Sequence, residues 1–288
     1  MCLAMILLPL MDVIAKFLTL SMASGQIVWS RMLFQTLFLL PLLYPLRHQL
    51  AVRQLHLFAL RGVLIAVATL FFFTSLVKMP LADALAIFFV EPLLLTLLSP
   101  IFLNEKIGVR RLSAVMVGFI GALIIIQPSA KAFGFYALLP LGAAFCFALY
   151  LIITRKLAQN TNPIIIQLYT GIAGFLTIST VLLIGNATEF TVLQISAPTT
   201  EQWGWMILIG AVGCIGHLLL VYAFSFADAS ALAPFHYFEI IGAVVFGWYF
   251  FLLMYQRLPP GWVSLSLLVP GSMFTDGSKS NLKQSIPL

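Results

Sequence analysis

Two glutamates stand inside apolar stretches long enough to cross a membrane. Glu91 lies in the run 80–106 and Glu239 in the run 227–251. A carboxylate in hydrocarbon is costly unless it is paired, hydrated or protonated, so such residues usually face a bundle interior or a water-filled cavity. The two acids therefore predict a central cavity that binds a cationic group or exchanges a proton. The alternative is that each bonds to backbone beside a helix break, since a proline lies close to both.

Three further charges fall in or near the first two apolar stretches. Asp12 and Lys16 are four residues apart, a spacing that puts them on one face of a helix, where they can pair. Such a pair could contact a zwitterionic solute or join two helices. Arg31 could meet a substrate carboxylate, meet Asp12, or extend to the membrane interface.

Polar aromatic side chains extend the set of candidates near the second glutamate. His236 and Tyr237 adjoin Glu239 and are candidate solute contacts, whereas the lone His217 in a glycine-rich helix is more typical of packing. The phenylalanine-rich run 70–76 is more typical of a lipid-facing or packing surface than of a stacking platform. The sequence has no metal-ligand spacing, no glycine-rich phosphate loop and no serine nucleophile elbow. These patterns predict no cofactor, no metal site and no enzyme.

Composition sets the class of protein that must position these side chains. The 288-residue chain is 62% apolar and 8% charged, with a mean hydropathy of +1.08. Soluble domains carry about 25% charged residues, so the sequence predicts an all-α polytopic membrane protein. The net charge of +6 is more typical of topology signals in cytoplasmic loops than of nucleic-acid binding. The three cysteines are far apart in apolar runs, which indicates packing rather than disulfides.

The apolar runs predict ten membrane spans, of which the last is short and interrupted by prolines. Lys and Arg fall ten to three on the side of the even-numbered loops and the tail, with Arg61 counted among the ten. The excess of positive charge on this side predicts that both termini are cytoplasmic. The spans run at about 1–20, 26–45, 57–77, 82–103, 109–127, 133–153, 163–184, 203–224, 228–251 and 259–275.

The two halves of the chain resemble one another. A shift of 148 residues puts Glu91 on Glu239 and Gly62 on Gly210. This predicts a duplicated unit, with one copy in 1–132 and the other in 133–288. Because five helices is an odd number, the second copy must be inverted in the membrane, and a site between two inverted copies can open to alternate sides.

Four passages carry a resemblance to a known family. They are MDVIAKFL with QIVWSRMLFQ, the run from Pro80 to Glu105, GFIGALIIIQP, and YAFSFADASALAPFHYFEIIGAVVFGW. The last is the most specific, because generic hydrophobicity does not produce its order of small residues, Ala-Pro, aromatics and Glu. Together they resemble the drug/metabolite transporter (DMT) superfamily, EamA type. The resemblance implies ten helices in two inverted five-helix repeats, in a bacterial inner membrane.

Within this superfamily the chain is similar to bacterial S-adenosylmethionine uptake carriers and to other organic-solute exporters. Because these proteins share most of the pattern, the resemblance does not identify the substrate. The resemblance implies a secondary active transporter of a small organic metabolite, with amino-acid-like and nucleoside-like solutes among the options. The predicted contacts are Glu91, Glu239, Tyr237, His236, Asp12, Lys16 and Arg31. Its partners would be the solute and the lipid bilayer, and a homodimer is left open.

Residues 252–288 depart from the family pattern. Where the family has a Gly or Asn next to an acid and then an apolar tenth helix, this chain has Leu252, Leu253 and a tail rich in Pro, Ser and Lys. The tail favours a degenerate tenth helix that arose from a changed reading frame or a decayed end. The alternative to a working carrier is therefore an inactive remnant of one, or a membrane subunit without a transport role.

Overall fold

A computed structural model describes residues 1–50, 52, 54–126, 134–187 and 190–256. Throughout these residues the regular structure is helical, which confirms the all-α prediction. Seven stretches in the described part are long and apolar enough to cross a membrane, which agrees with a multi-pass protein. The predicted tenth span, and with it the atypical tail from residue 257 onward, lies outside the described residues. In chain order the α-helices are α1 Cys2–Leu18, α2 Ser24–Leu39, α3 Leu55–Lys78, α4 Leu81–Phe88, α5 Glu91–Leu103, α6 Val109–Ile126, α7 Leu138–Ala158, α8 Pro163–Ala187, α9 Thr200–Phe226, α10 Ala229–Leu232 and α11 Glu239–Gln256.

Residues 1–246 form one compact unit, and the described residues 247–256 at the end of α11 belong to a second. Inside the first unit α3 packs against α7 and α8, α2 packs against α8 and α9, and α1 packs against α9. Helices from the two predicted repeats are therefore interleaved, and the core lies between them.

Two of the predicted spans contain a helix break. The stretch 82–103 is membrane-length as predicted, but α4 ends at Phe88 and α5 begins at Glu91. The cause is Pro92, because a proline inside a helix lacks the N–H donor and its ring clashes with the carbonyl four residues earlier, here that of Phe88. In the second break α10 gives way to a 3-10 segment, Ala233–Phe238, before α11 begins at Glu239.

The helix bounds repeat at the interval that the sequence predicts. Lys78 ends α3 and Phe226 ends α9, Leu81 begins α4 and Ala229 begins α10, and Glu91 begins α5 and Glu239 begins α11. The members of each pair are 148 residues apart. Each glutamate is thus the first residue of the helix that follows a break, in the same place in both halves.

A close helix contact brings a charged residue of α3 into the core. A Cβ added at Gly62 would lie 2.8 Å from the carbonyl oxygen of Thr170 in α8, so the two backbones approach where a side chain would not fit. The neighbouring Arg61 is fully buried against α7 and α8. Its assignment to a cytoplasmic loop was therefore wrong, because this helix extends past the arginine and packs it inward.

Candidate functional site

A cavity of about 50 Å³ lies inside the first unit. It is lined by residues of α1, α2, α3, α4, α7 and α9, by His236 of the 3-10 segment and by Glu239 at the start of α11. This volume holds a few water molecules, since each needs about 10–15 Å³ of accessible space. Aromatic side chains form much of the wall, and charged side chains of both signs face it. The lining residues that matter below are Asp12, Arg31, Thr69, Phe72, Phe147, His217, His236 and Glu239.

An acid pair forms one polar part of the wall. Asp12 projects from the middle of α1 and Glu239 from the first turn of α11, and both are buried. Their carboxyl groups lie within hydrogen-bonding reach of each other, and Asp12 is also close enough to Arg31 to interact electrostatically. Two carboxylates so placed repel one another unless they share a proton or a cation stands between them. The pair can therefore hold either a proton or a cationic group.

The other repeat glutamate lies against a histidine of the cavity wall. Glu91 Oε2 lies 2.9 Å from His236 Nδ1, and both side chains are buried. Glu91 begins α5, where the partial positive charge of the helix N-terminus favours a carboxylate. His236 lines the cavity, so Glu91 can influence the cavity through the imidazole ring.

Arg31 is the buried cation of the cavity wall. Its Nη1 donates to Thr69 Oγ1 at 2.6 Å, and its Nη2 lies 2.6 Å from His217 Nε2. Its side chain is 1% exposed, and Nε–H has no acceptor among the described residues. Both terminal nitrogens of the guanidinium therefore have partners, and the Nε–H donor is left for a further acceptor.

The structure brings four of the seven predicted site residues to the cavity: Asp12, Arg31, His236 and Glu239. Glu91 joins them through His236. The other two have different surroundings. Tyr237 donates a hydrogen bond to Phe89 O at 3.4 Å across the first helix break, and Lys16 donates to Leu76 O and Met79 O at the end of α3, at 2.5 and 2.9 Å.

Sequence reasoning missed several lining residues. His217 was read as packing, but it bridges Arg31 and Tyr150. Phe72 lies in a run read as lipid-facing or packing surface, and it is buried and lines the cavity. Thr69 sits one helical turn before it and gave no signal, because a threonine in an apolar helix is common. In the described ranges no group of three His, Cys, Asp or Glu side chains is placed to hold a metal ion.

Relatives of known function support a membrane carrier. The chain is 31% identical over 194 residues to a riboflavin transporter of Vibrio cholerae, covering 66% of this chain and 60% of that protein. It is 29% identical over 241 residues to an S-adenosylmethionine uptake transporter of Rickettsia bellii, covering 83% and 80% of the two chains. The chain thus spans about three fifths of the first relative's length and four fifths of the second's.

A solved crystal structure shares the fold, with a TM-score of 0.68 and 16% sequence identity over 93% of this chain and 91% of the other. The family model of the EamA-like transporters matches residues 1–127 and 134–275, which is nearly the whole chain. The match covers both halves and so includes both breaks and both glutamates. The chain therefore belongs to the EamA-like transporter family.

Proposed function

We propose that this protein is a secondary active transporter that carries a small organic metabolite across the bacterial inner membrane by alternating access. The observation that carries the proposal is the cavity, which is lined by helices of both halves and has an acid pair and a guanidinium in its wall. Charged residues inside a membrane bundle usually mark a solute or ion pathway. Both termini would face the cytoplasm, as the distribution of Lys and Arg predicts.

Inverted repeats would supply the two states. The shared 148-residue interval between helix ends, helix starts and glutamates supports a duplicated unit. In inverted-repeat transporters the substrate site lies between the repeats, near broken helices, and one repeat moves against the other. The breaks before Glu91 and Glu239 correspond to this arrangement.

The charges of the cavity suit a solute with a cationic and an anionic group. The acid pair of Asp12 and Glu239 would bind the cationic end, and Arg31 would bind the anionic end. The aromatic wall, which includes Phe72 and Phe147, would contact an apolar or planar body. When no cation is bound, a proton can take its place on the acid pair, which gives a simple route to proton exchange.

The cavity is too small for a metabolite. Sites for small molecules enclose about 300–1,000 Å³, whereas this cavity holds about 50 Å³. Binding a metabolite therefore requires the surrounding helices to separate.

Two matching contacts could control that separation. Lys16, in the last turn of α1, donates to Leu76 O near the end of α3 at 2.5 Å. Arg155, in the last turn of α7, donates to Phe224 O near the end of α9 at 2.9 Å. Leu76 and Phe224 are equivalent under the 148-residue shift, and in the predicted topology α3 and α9 end on opposite sides of the membrane. We therefore assign these contacts to the two mouths of the pathway.

Uptake into proteoliposomes tests the proposal. The panel would contain riboflavin, S-adenosylmethionine and amino acids, each measured with and without a pH gradient. We expect at least one solute to accumulate and Glu239→Gln to reduce its initial rate about tenfold or more, because an amide cannot replace the charge of the acid pair. Glu201→Gln is the matched control, since Glu201 is exposed at the start of α9.

Two results would contradict the proposal in different ways. If Glu239→Gln transported at the wild-type rate, the acid pair would have no role in transport. If inserted, folded wild-type protein accumulated none of the panel, a membrane subunit without transport or an inactive remnant would become the better account.

A further inference from the structure

A second buried arginine lies behind the cavity. Arg61 is fully buried in α3, and its partners among the described residues are neutral. Its Nε donates to Thr154 Oγ1 at 2.8 Å, and its Nη1 donates to Thr170 Oγ1 and, at 3.4 Å, to Gln167 Oε1. A buried cation with no opposite charge beside it is costly. Packing α3 against α7 and α8 does not require a buried cation, which indicates that Arg61 has a specific role.

Arg61 is connected to the cavity by an unbroken chain of hydrogen bonds. Its Nη2 donates to Tyr150 Oη at 2.7 Å, and its guanidinium carbon lies 4.2 Å from the centre of the Tyr150 ring. Tyr150 Oη is 3.1 Å from His217 Nδ1, and His217 Nε2 is 2.6 Å from Arg31 Nη2. The chain thus joins α3, α7, α9 and α2 through one atom-to-atom route.

The direction of each hydrogen bond follows from which groups can accept. Arginine has donors and no acceptor, so His217 Nε2 must be the acceptor of the Arg31 bond and carries no hydrogen. A neutral His217 then has its hydrogen on Nδ1, which donates to Tyr150 Oη. The same oxygen accepts from Arg61. A second proton on His217 would point at the Arg31 guanidinium, so the ring stays neutral and acts as a fixed acceptor.

We propose that Arg61 is a positioning residue for the cavity, which acts through Tyr150 and His217 to hold the Arg31 guanidinium as a preorganised site for a solute carboxylate. The inference rests on the proposed transport function, since it names a chemical group of the transported solute. A donor fixed in place before binding loses less conformational entropy when the anion arrives. Gly213 belongs to the same arrangement, because a Cβ there would lie 3.2 Å from Arg31 Nε and would crowd the donor that has no acceptor.

Charged groups near His217 come from several helices. Arg31 of α2 and Arg61 of α3 are positive, and Asp12 of α1 and Glu239 of α11 line the same cavity. Tyr150 of α7 contacts the ring directly, while Phe147 packs against it edge-on at 6.2 Å between ring centres. The two arginines at the ends of the hydrogen-bond chain, Arg31 and Arg61, disfavour a positive charge on the imidazole. A neutral His217 agrees with the direction of the hydrogen bonds.

Nitrogen NMR of protein labelled at histidine tests the chain of bonds without any solute. We expect His217, assigned by its loss in His217→Gln, to show the neutral Nδ1–H form from pH 5.5 to 8, with a hydrogen-bonded proton. In Tyr150→Phe that proton should shift upfield or exchange rapidly with water, because its acceptor is gone. An Nε2–H form or a charged ring in the wild type would overturn the proposal, as would a Tyr150→Phe spectrum identical to the wild type.

Binding measurements test the carboxylate. Thermal shift titrations would compare L-methionine, L-phenylalanine and S-adenosylmethionine with the methyl ester of each, and riboflavin as a probe without a carboxylate. We expect Tyr150→Phe and Arg61→Lys to weaken binding of the acids about tenfold and to leave binding of the esters unchanged. Tyr169→Phe is the matched control, since its hydroxyl donates to Leu50 O, remote from the cavity wall.

A double-mutant cycle separates positioning from general damage. If Tyr150 acts through Arg31, the Tyr150→Phe effect should vanish in an Arg31→Gln background. Equal losses in both backgrounds would overturn the proposal. Uptake or binding restricted to riboflavin and the esters would also overturn it while leaving the transport function intact. If nothing is transported, the transport function fails, and the NMR result still decides whether Tyr150 and His217 form the chain of hydrogen bonds to Arg31.

Discussion

The contact of Arg155 with the end of α9 gives a prediction that can be worked through from the structure. Arg155 Nη1 donates to Phe224 O at 2.9 Å, and Nη2 lies 3.1 Å from Asp228 Oδ1. Its Nε is 3.8 Å from Glu105, whose carboxylate accepts hydrogen bonds from the backbone N–H groups that begin α10. One side chain therefore connects α7 with the segment just before the second helix break. We predict that Arg155→Gln opens the mouth at this end.

The magnitude follows from exposure. Arg155 is 14% exposed, so its charged hydrogen bond to a carbonyl contributes about 1.5 kcal/mol, the low end of the range for such bonds. Asp228 is 43% exposed, so solvent screening leaves that ion pair about 0.5 kcal/mol or less. The variant should therefore shift the balance between closed and open states by about 2 kcal/mol, or roughly 30-fold.

Accessibility of a cysteine in the cavity measures this shift. Ala68 lines the cavity and is 3% exposed, so Ala68→Cys, in a chain whose native cysteines are replaced by alanine, places the reporter there. A membrane-impermeant maleimide would be applied to right-side-out and to inside-out vesicles. In the predicted topology Arg155→Gln should speed labelling about 30-fold in inside-out vesicles. Lys16→Gln should speed it in right-side-out vesicles, because Lys16 makes the equivalent contact at the other mouth.

The adjacent Lys156 supplies the matched control. It is exposed in the same turn of α7, so Lys156→Gln removes a positive charge without the contacts to α9 and α10. Unchanged labelling in Arg155→Gln would refute the reasoning. Equal acceleration from both faces would also refute it, because general loosening of the bundle would then explain the result.

Two further predictions concern packing and pairing inside the bundle. Gly62→Ala should lower the midpoint of thermal unfolding, because its Cβ would lie 2.8 Å from a backbone oxygen of α8. Such overpacking destabilises a protein by about 1–3 kcal/mol. Gly204→Ala is the control and should not lower the midpoint, because a Cβ there would meet no neighbouring atom within 4 Å. Glu91→Gln and His236→Gln should each destabilise the protein, and the double variant should be less destabilised than the sum by about 1 kcal/mol or more, since the two groups are paired at 2.9 Å. Strict additivity in thermal unfolding would contradict that pairing.

The sequence predicted the site best where a charge interrupts an apolar stretch. Asp12, Arg31 and Glu239 were found in this way, because burial of a charge in a membrane is unusual enough to mark a residue without knowledge of its neighbours. The equivalence of Glu91 and Glu239 was found from the 148-residue shift, and the structure places both at the start of a helix after a break. What the shift could not predict was that only the second of these glutamates would line the cavity while the first stands behind His236.

The contacts that sequence reasoning missed are made between distant segments. Lys16 was considered as a partner of Asp12, four residues away, but its ammonium donates hydrogen bonds to carbonyls 60 and 63 residues later. Arg61 was counted with the loops because a charge near a span end usually belongs there, whereas the glycine after it lets α8 approach and enclose it. Local spacing describes one helix at a time and does not include the partner that a neighbouring helix presents.

The balance of charge in the cavity constrains what can enter it. Arg31 interacts electrostatically with the acid pair of Asp12 and Glu239, which can share one proton. With that proton in place, Arg31 and the acid pair together carry no net charge. A zwitterion can then bind without disturbing the balance, since its two ends meet opposite charges, whereas a simple cation would leave a buried positive charge unless the shared proton departs. Uptake of a cation should therefore depend steeply on the pH gradient, and uptake of a zwitterion should depend on it weakly, so the response to the gradient distinguishes the two classes of solute.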